Sequence, residues 1–217
     1  MMHSSEVSVS AVGTLRGRVG PMFAKKTCWL NGEATTQADL GAAVLKISPL
    51  LERAPETDLV VDDAGSTHHS SYSKLSDKIA RVRVARLADA DIANITCIAV
   101  DEAQFFPDLV DIVRYWVEDL GLQVLVAGLD ADFAKQPFLN VLSLIPLAPR
   151  DFKKLSNHCI FCIRQLRKIG YKGDLSQIAG GFSKRMSNNM EPVDVTSVHL
   201  PACRPHHAMN FEDLEKI

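Results

Sequence analysis

Three groups of residues have types and spacings that could do chemistry. The first is Gly20-Pro21-Met22-Phe23-Ala24-Lys25-Lys26-Thr27, which follows a short alternating run at 13–19. A loop that cradles phosphate reads Gly, four residues, then Gly-Lys-Ser/Thr. Gly20, Lys26 and Thr27 are in register with that pattern, and Lys25 replaces the second Gly. In such a loop successive backbone N–H groups wrap a phosphate, and the next helix adds its positive end. The Lys reaches the outer phosphates and the hydroxyl holds Mg²⁺. The bland alternative is an ordinary strand–turn–helix.

The second group is Asp101-Glu102-Ala103-Gln104-Phe105-Phe106, at the end of the apolar run Thr96-Cys97-Ile98-Ala99-Val100. Asp101 could hold Mg²⁺ directly or through water, and Glu102 could take a proton from a substrate hydroxyl. Solvated acids ending a strand are the alternative. Gln104 beside Phe105 and Phe106 suits a flat, hydrogen-bonding ring, or is a surface Gln beside core Phe. The third group is Cys159-x-x-Cys162 with Cys203-x-x-His206. These are four soft or borderline ligands, the set that tetrahedral Zn²⁺ takes, and a closed set implies a structural ion. A redox pair plus a stray Cys is the alternative. Cys28 and Cys97 read as core, and His68-His69 as a solvated pair.

The elements that must position these groups follow from pattern. Runs at 13–19, 42–47, 96–100 and 122–128 read as strands, with weaker ones at 59–61 and 82–85. A helix starts near Lys26, and Asn31-Gly32 predicts that it is short, broken or irregular. Pro107 opens a helix through Leu120, with Val110, Val113, Val117 and Leu120 on one face and Gly121 as its stop. Another helix is expected over 137–147, and a short turn over 87–92. Buried strands alternating with helices predict an α/β fold: a parallel sheet with helices on both faces. Ligands sit at the C-terminal strand edges of such sheets, where 20–27, Asp101-Glu102 and Leu129-Asp130 all fall. Phe133 and Phe138, just beyond, either line the same pocket or are core.

The chain has 217 residues, 47% hydrophobic and 23% charged, with formal net charge −2. Its pI is about 6.4. No bulk charge or basic stripe points to nucleic acid, which counts against a zinc-ribbon nucleic-acid binder. No apolar run is long enough to span a bilayer. Five Cys with metal-ligand spacing fit a reducing compartment, so a cytoplasmic location is expected. A short organellar presequence is the alternative. Residues 1–12 read as a disordered tail, 13–150 as a phosphate-loop α/β domain, 151–207 as a zinc-ribbon and flap domain, and 208–217 as a C-terminal tail.

Taken together, these pieces resemble the thymidine kinases of the zinc-ribbon class, over about residues 13–206. The segments that carry the likeness are Gly20-Pro21-Met22-Phe23, Asp101-Glu102-Ala103-Gln104-Phe105-Phe106, Leu129-Asp130 with Phe133 and Pro137-Phe138, Leu144-Ile145-Pro146-Leu147-Ala148, and the two Cys/His pairs. The resemblance implies transfer of the γ-phosphoryl group of ATP to the 5′-hydroxyl of thymidine, with Mg²⁺. It makes Lys26 and Thr27 ligands of Mg-ATP and Glu102 the base. It places Phe105, Leu129 and Phe133, with Phe138, around thymine. Ile178, Ala179, Gly180 and Gly181 become a flap that grips the base through backbone groups. The family's usual homotetramer is implied as well.

The departures from the family gather in the site. Lys25 replaces the second loop Gly. The family's Asp-x-Arg after its second strand aligns with Leu50-Leu51-Glu52. Arg185 stands where the family has a Tyr near the base, and 186–200 is inserted. That pattern also fits a catalytically silent domain, a structural or regulatory partner paired with a second kinase copy.

Overall fold

The computed structural model describes residues 13–50, 75–148, 150–175, 178–186 and 198–217, and the backbone of 59–61 and 67–69. In chain order the elements are β1 (Thr14–Val19), α1 (Lys26–Asp39), β2 (Val44–Pro49), β3 (Leu59–Val61), β4 (Thr67–His69), β5 (Ala80–Val84), β6 (Cys97–Val100), α2 (Leu109–Arg114), β7 (Gln123–Gly128) and α3 (Leu139–Leu142). There follow β8 (Phe152–Lys154), β9 (Asn157–His158), α4 (Ile160–Lys168), β10 (Ala179–Gly180), β11 (Phe182–Arg185), β12 (His199–Ala202), α5 (Arg204–Ala208) and α6 (Phe211–Glu215). The expectations for residues 1–12, Leu51, Glu52 and most of the insertion, and for the side chains of His68 and His69, lie outside the described residues.

Six strands form one sheet in the order β5-β2-β6-β7-β1-β8. Every pairing in it is parallel. Alternate residues serve opposite faces, as the strand period of two requires. Leu45, Ile47, Ile98, Val100, Val124 and Val126 pack under α2 and α3. Val44, Cys97, Ala99, Leu125 and Ala127 pack under Leu30, Ala34 and Ala38 of α1. The α/β architecture read from the sequence is therefore the observed one. Phe152–Lys154 pairs with β1, so the sheet draws on residues past position 150. The Phe152 ring lies against Gly17, where a Cβ would collide with it.

Three helix expectations are corrected. First, α1 runs unbroken through Asn31-Gly32. A helical Gly costs about 1 kcal/mol against Ala. Burial of Leu30, Ala34 and Ala38 on the sheet outweighs that, and a Cβ at Gly32 would meet open space. Second, α2 starts at Leu109 and passes into a π-helical turn, Tyr115–Asp119. The π turn rotates Trp116 inward while Leu120 is left 42% exposed. Third, the helix expected over 137–147 is only α3 plus a 3₁₀ turn, Ile145–Leu147. Pro137 is taken by an isolated bridge to Ala131, and Pro146 cannot donate to an α-helical ladder.

A third apolar cluster, containing Cys159, Phe161, Leu200 and Leu214, holds the C-terminal unit together. There β10 pairs with β9, and β11 with β12, both antiparallel. Among the described residues, no helix is long and apolar enough to cross a membrane.

Candidate functional site

Topology brings the chemical groups together. β6, β7 and β1 are neighbours in the sheet. Their C-terminal ends therefore deliver Asp101-Glu102, Leu129-Asp130 and the 20–27 loop to one edge. Gly20 has φ 148°, and a Cβ there would strike the Leu155 carbonyl. Lys25, at the start of α1, has φ 59° and ψ 27°. The loop thus keeps a left-handed shape that glycine adopts freely, but with a side chain attached.

The Lys26 side chain is buried, and its ammonium donates to the Pro21 carbonyl at 2.7 Å. Burial pushes its pKa down, and the carboxylates of Glu102, Asp101 and Asp130 pull against that. The Thr27 hydroxyl donates to Oδ1 of Asp101 at 3.0 Å. Oδ2 of Asp101 meets Nζ of Lys46 at 3.0 Å, with both side chains less than a tenth exposed. A buried charge pair of this kind persists only when its remaining hydrogen-bonding capacity is satisfied. The Thr27 hydroxyl and the Glu102 N–H satisfy Asp101. Lys46 was not among the residues singled out from the sequence. The signal was there, because a Lys inside an apolar strand needs a buried partner.

Glu102 sits in left-handed backbone, φ 49°. Its Oε2 accepts from Nε2 of Gln104 at 2.7 Å, and Oε1 of Gln104 accepts from the Leu129 N–H at 2.9 Å. The Gln104 amide therefore fixes the carboxylate of Glu102 against the end of β7. Phe106 is wholly buried in the main core, and Phe105 is half-buried. Phe138 also packs against that core.

Phe133 faces Arg185, whose guanidinium carbon lies 3.8 Å from the ring centroid. Arg185 is 5% exposed, and its Nε lies 3.2 Å from Nε2 of His199. The Phe133 carbonyl lies 2.9 Å from Nε2 of His207, which must then carry the proton. Burial pushes the pKa of His207 down, and the Phe133 carbonyl opposes that. Lys154 of β8 forms an ion pair with Asp130. A cavity of about 180 Å³ opens between Pro21, Asp130, Lys154, Lys135, Gly181 and Ser183. At the segment expected to be the flap, Ala179-Gly180 pairs with His158-Asn157, and the Ile178 carbonyl accepts from the Cys159 N–H. A Cβ on Gly180 would stand 2.7 Å from the His158 carbonyl carbon, so this approach requires glycine.

Cys159, Cys162, Cys203 and His206 converge, with all four ligand atoms within 4.8 Å of one another. The geometry explains the x-x spacing. Cys159 caps α4 and Cys203 caps α5, so each pair places its second ligand in the first helical turn. The Cys162 and Cys203 sulfurs are 3.7 Å apart. Zn–S bonds of about 2.3 Å give a tetrahedral edge of about 3.8 Å. Nδ1 of His206 lies 3.1 to 3.4 Å from the three sulfurs. The donor set fits a structural Zn²⁺, a site with no ligand position left for water.

A sequence model of the family described as Thymidine kinase matches residues 13–207. The chain belongs to the thymidine kinase family. It is 30% identical to the thymidine kinase of Oryza sativa subsp. japonica over 211 residues, covering 93% of this chain and 69% of that protein. It is 31% identical to the cytosolic thymidine kinase of Homo sapiens over 129 residues, 56% of this chain and 54% of that protein. It is 35% identical to the thymidine kinase of vaccinia virus (strain Ankara) over 165 residues, 75% of this chain and 86% of that protein. The alignments thus span from about half to about nine-tenths of these relatives. In this thymidine kinase domain the departures have defined places. Lys25 holds the left-handed loop position. Leu50 is 65% exposed just past β2. Arg185 is stacked on Phe133.

Proposed function

We propose that this domain is built for ATP-dependent phosphoryl transfer to the 5′-hydroxyl of thymidine. One observation carries the reading: Thr27 and Lys46 both bond Asp101, beside Glu102 and the buried Lys26, whose ammonium bonds the loop's own Pro21 carbonyl. The Thr27 hydroxyl and the Asp101 carboxylate are hard oxygen donors that suit Mg²⁺. When bound, the ion would neutralise charge on the phosphates of ATP. Backbone N–H groups of the loop cradle the phosphates, and the Lys26 ammonium meets their outer oxygens. Glu102, aimed by Gln104, accepts the proton of the 5′-hydroxyl. The thymine ring would lie among Phe105, Leu129 and Phe133, under the flap at Ile178, Ala179, Gly180 and Gly181. Cys159, Cys162, Cys203 and His206 would hold Zn²⁺ as a structural ion. The resemblance to the family supports a homotetramer, or pairing with a second kinase copy.

A second reading, a catalytically silent domain that serves as a structural or regulatory partner, is favoured by Arg185. Its guanidinium covers the Phe133 face that a base would stack on. Calorimetry of Mg-ATP and thymidine, with a phosphorylation assay, on the parent and on Arg185→Tyr separates the two readings. Binding of both ligands with turnover in the parent supports the kinase. Mg-ATP binding without thymidine binding, with thymidine regained in Arg185→Tyr, supports the silent domain. A parent that binds no Mg-ATP removes the nucleotide-binding premise of the kinase reading.

A further inference from the structure

Two residues of the phosphate loop, Phe23 at φ 62° and Lys25 at φ 59°, occupy left-handed backbone without being glycine. L side chains resist that conformation, so the surroundings must hold it. Two side chains of the C-terminal unit reach the loop backbone. Nδ2 of Asn157 donates to the Phe23 carbonyl at 2.9 Å. The Met22 N–H donates to Oγ of Ser183 at 2.9 Å. The Asn157 amide orientation is fixed from its other side, because Oδ1 accepts from the His158 N–H at 2.8 Å. Ser183 is buried, 6% exposed.

Asn157 belongs to the strand that leads into Cys159, and Ser183 to the strand paired with the one that leads into Cys203. Asn157 pairs with Gly180 of the flap and stands two residues before Cys159. Ser183 lies opposite Pro201, two residues before Cys203. The ribbon and flap therefore grip the loop at two consecutive residues, on one N–H and one carbonyl.

We propose that Asn157 and Ser183 are positioning residues that hold the phosphate loop in shape from the metal-ligating unit; this rests on reading the loop as a nucleotide cradle. Through them the order of the ribbon and the order of the loop are coupled, and the coupling is reciprocal. Neither side chain touches the reacting atoms. Each acts through the backbone of Met22 or Phe23.

The test compares the full chain with Asn157→Asp, Ser183→Ala and Ser183→Thr. Amide hydrogen exchange is followed at residues 22–27, and Mg-ATP is titrated by calorimetry. Asn157→Asp keeps an acceptor for the His158 N–H, loses the donor to Phe23 and adds a negative charge, for which Ser183→Ala is the uncharged control. In Asn157→Asp and Ser183→Ala the loop amides should exchange about three- to tenfold faster, the effect of one lost hydrogen bond. Amides of residues 124–127 and the thermal midpoint should stay close to the parent, and Ser183→Thr should restore parental loop exchange. Mg-ATP affinity should fall by a similar factor in the two loosened variants. Unchanged loop exchange in folded Asn157→Asp overturns the proposal, and should that variant fail to fold, unchanged exchange in Ser183→Ala does so. A parent that binds no Mg-ATP overturns the nucleotide reading instead, while loop exchange still decides whether the two side chains hold the loop.

Discussion

Cys159, Cys162, Cys203 and His206 form a complete set of four soft or borderline donors, and their donor atoms converge within 4.8 Å. Around Thr27 and Asp101 the convergence is as close, with 3.0 Å between their oxygens. Yet Lys25 stands at a glycine position and Arg185 covers an aromatic face beside the flap. Differing energetic coupling explains the contrast. Metal binding in a closed site is folding free energy, so losing one ligand loosens the whole unit. Contacts to phosphate or base are made only when a ligand binds, so the fold survives their loss. The sheet beneath both is complete, so the architecture does not depend on contacts at the nucleotide edge.

The largest effect should come from the metal side. Cys203→Ser should lose its zinc and loosen the flap and ribbon, since structural zinc contributes on the order of 10 kcal/mol in small zinc domains. Metal analysis of protein purified without chelator should find about one zinc per parent chain and none in the variant. A variant that keeps its zinc and melts like the parent would erase the contrast.

At the nucleotide edge, if the proposed kinase reading holds, Glu102→Gln should lower thymidine phosphorylation by about 10²–10⁴-fold, because an amide cannot accept the proton. Thymidine binding should stay nearly unchanged, since the shape is kept. Equal turnover in both forms would show that Glu102 is not the base.

A smaller change should follow from Lys25→Gly. Because Lys25 already holds its left-handed conformation without nucleotide, relief of that strain should stabilise the fold, by at most about 1–2 kcal/mol, read by chemical denaturation. Mg-ATP affinity should change less than stability, since the strain is the same before and after binding. Parental stability equal to that of the glycine variant would mean that the loop tolerates its lysine at no cost.

The smallest effect concerns the joint between the two regions. Asp151, just before β8, receives hydrogen bonds from Nε of Arg16 at 2.7 Å and from Arg18 at 2.8 Å. Burial pushes its carboxyl up, and the two arginines outweigh that, bringing the pKa to about 2 from 3.8. A folded pKa below the unfolded one means stability that is present above pH about 4 and lost as pH falls toward 2. The carboxylate is partly exposed, so screening limits the effect to about 1 kcal/mol. Acid titration of chemical denaturation should show that slope, and Asp151→Asn should flatten it.

Residue pattern sufficed to pick out the Cys/His cluster, because two x-x pairs at helix starts form a local signal. It sufficed for the acids at strand ends too, since apolar runs 96–100 and 122–128 mark buried parallel strands. Helix boundaries were less legible. Asn31-Gly32 carries a true local preference, but Leu30, Ala34 and Ala38 on the sheet overrule it. The 137–147 stretch fails the other way, since a bridge to Ala131 captures Pro137 before a helix can start.

What the sequence determined by itself, then, is the set of short-range signals: the loop register of Gly20, Lys26 and Thr27, the strand-end acids and the two ligand pairs. Each is set by spacing within a few residues, where backbone geometry leaves little choice. Tertiary structure alone decided the partners. Lys46 meets Asp101 because β2 and β6 are neighbours. Arg185 meets Phe133, and Asn157 and Ser183 reach the phosphate loop, because the ribbon folds back over the end of β1. These contacts join residues from 52 to 161 positions apart. No periodicity encodes such pairs; only burial and chain topology select them.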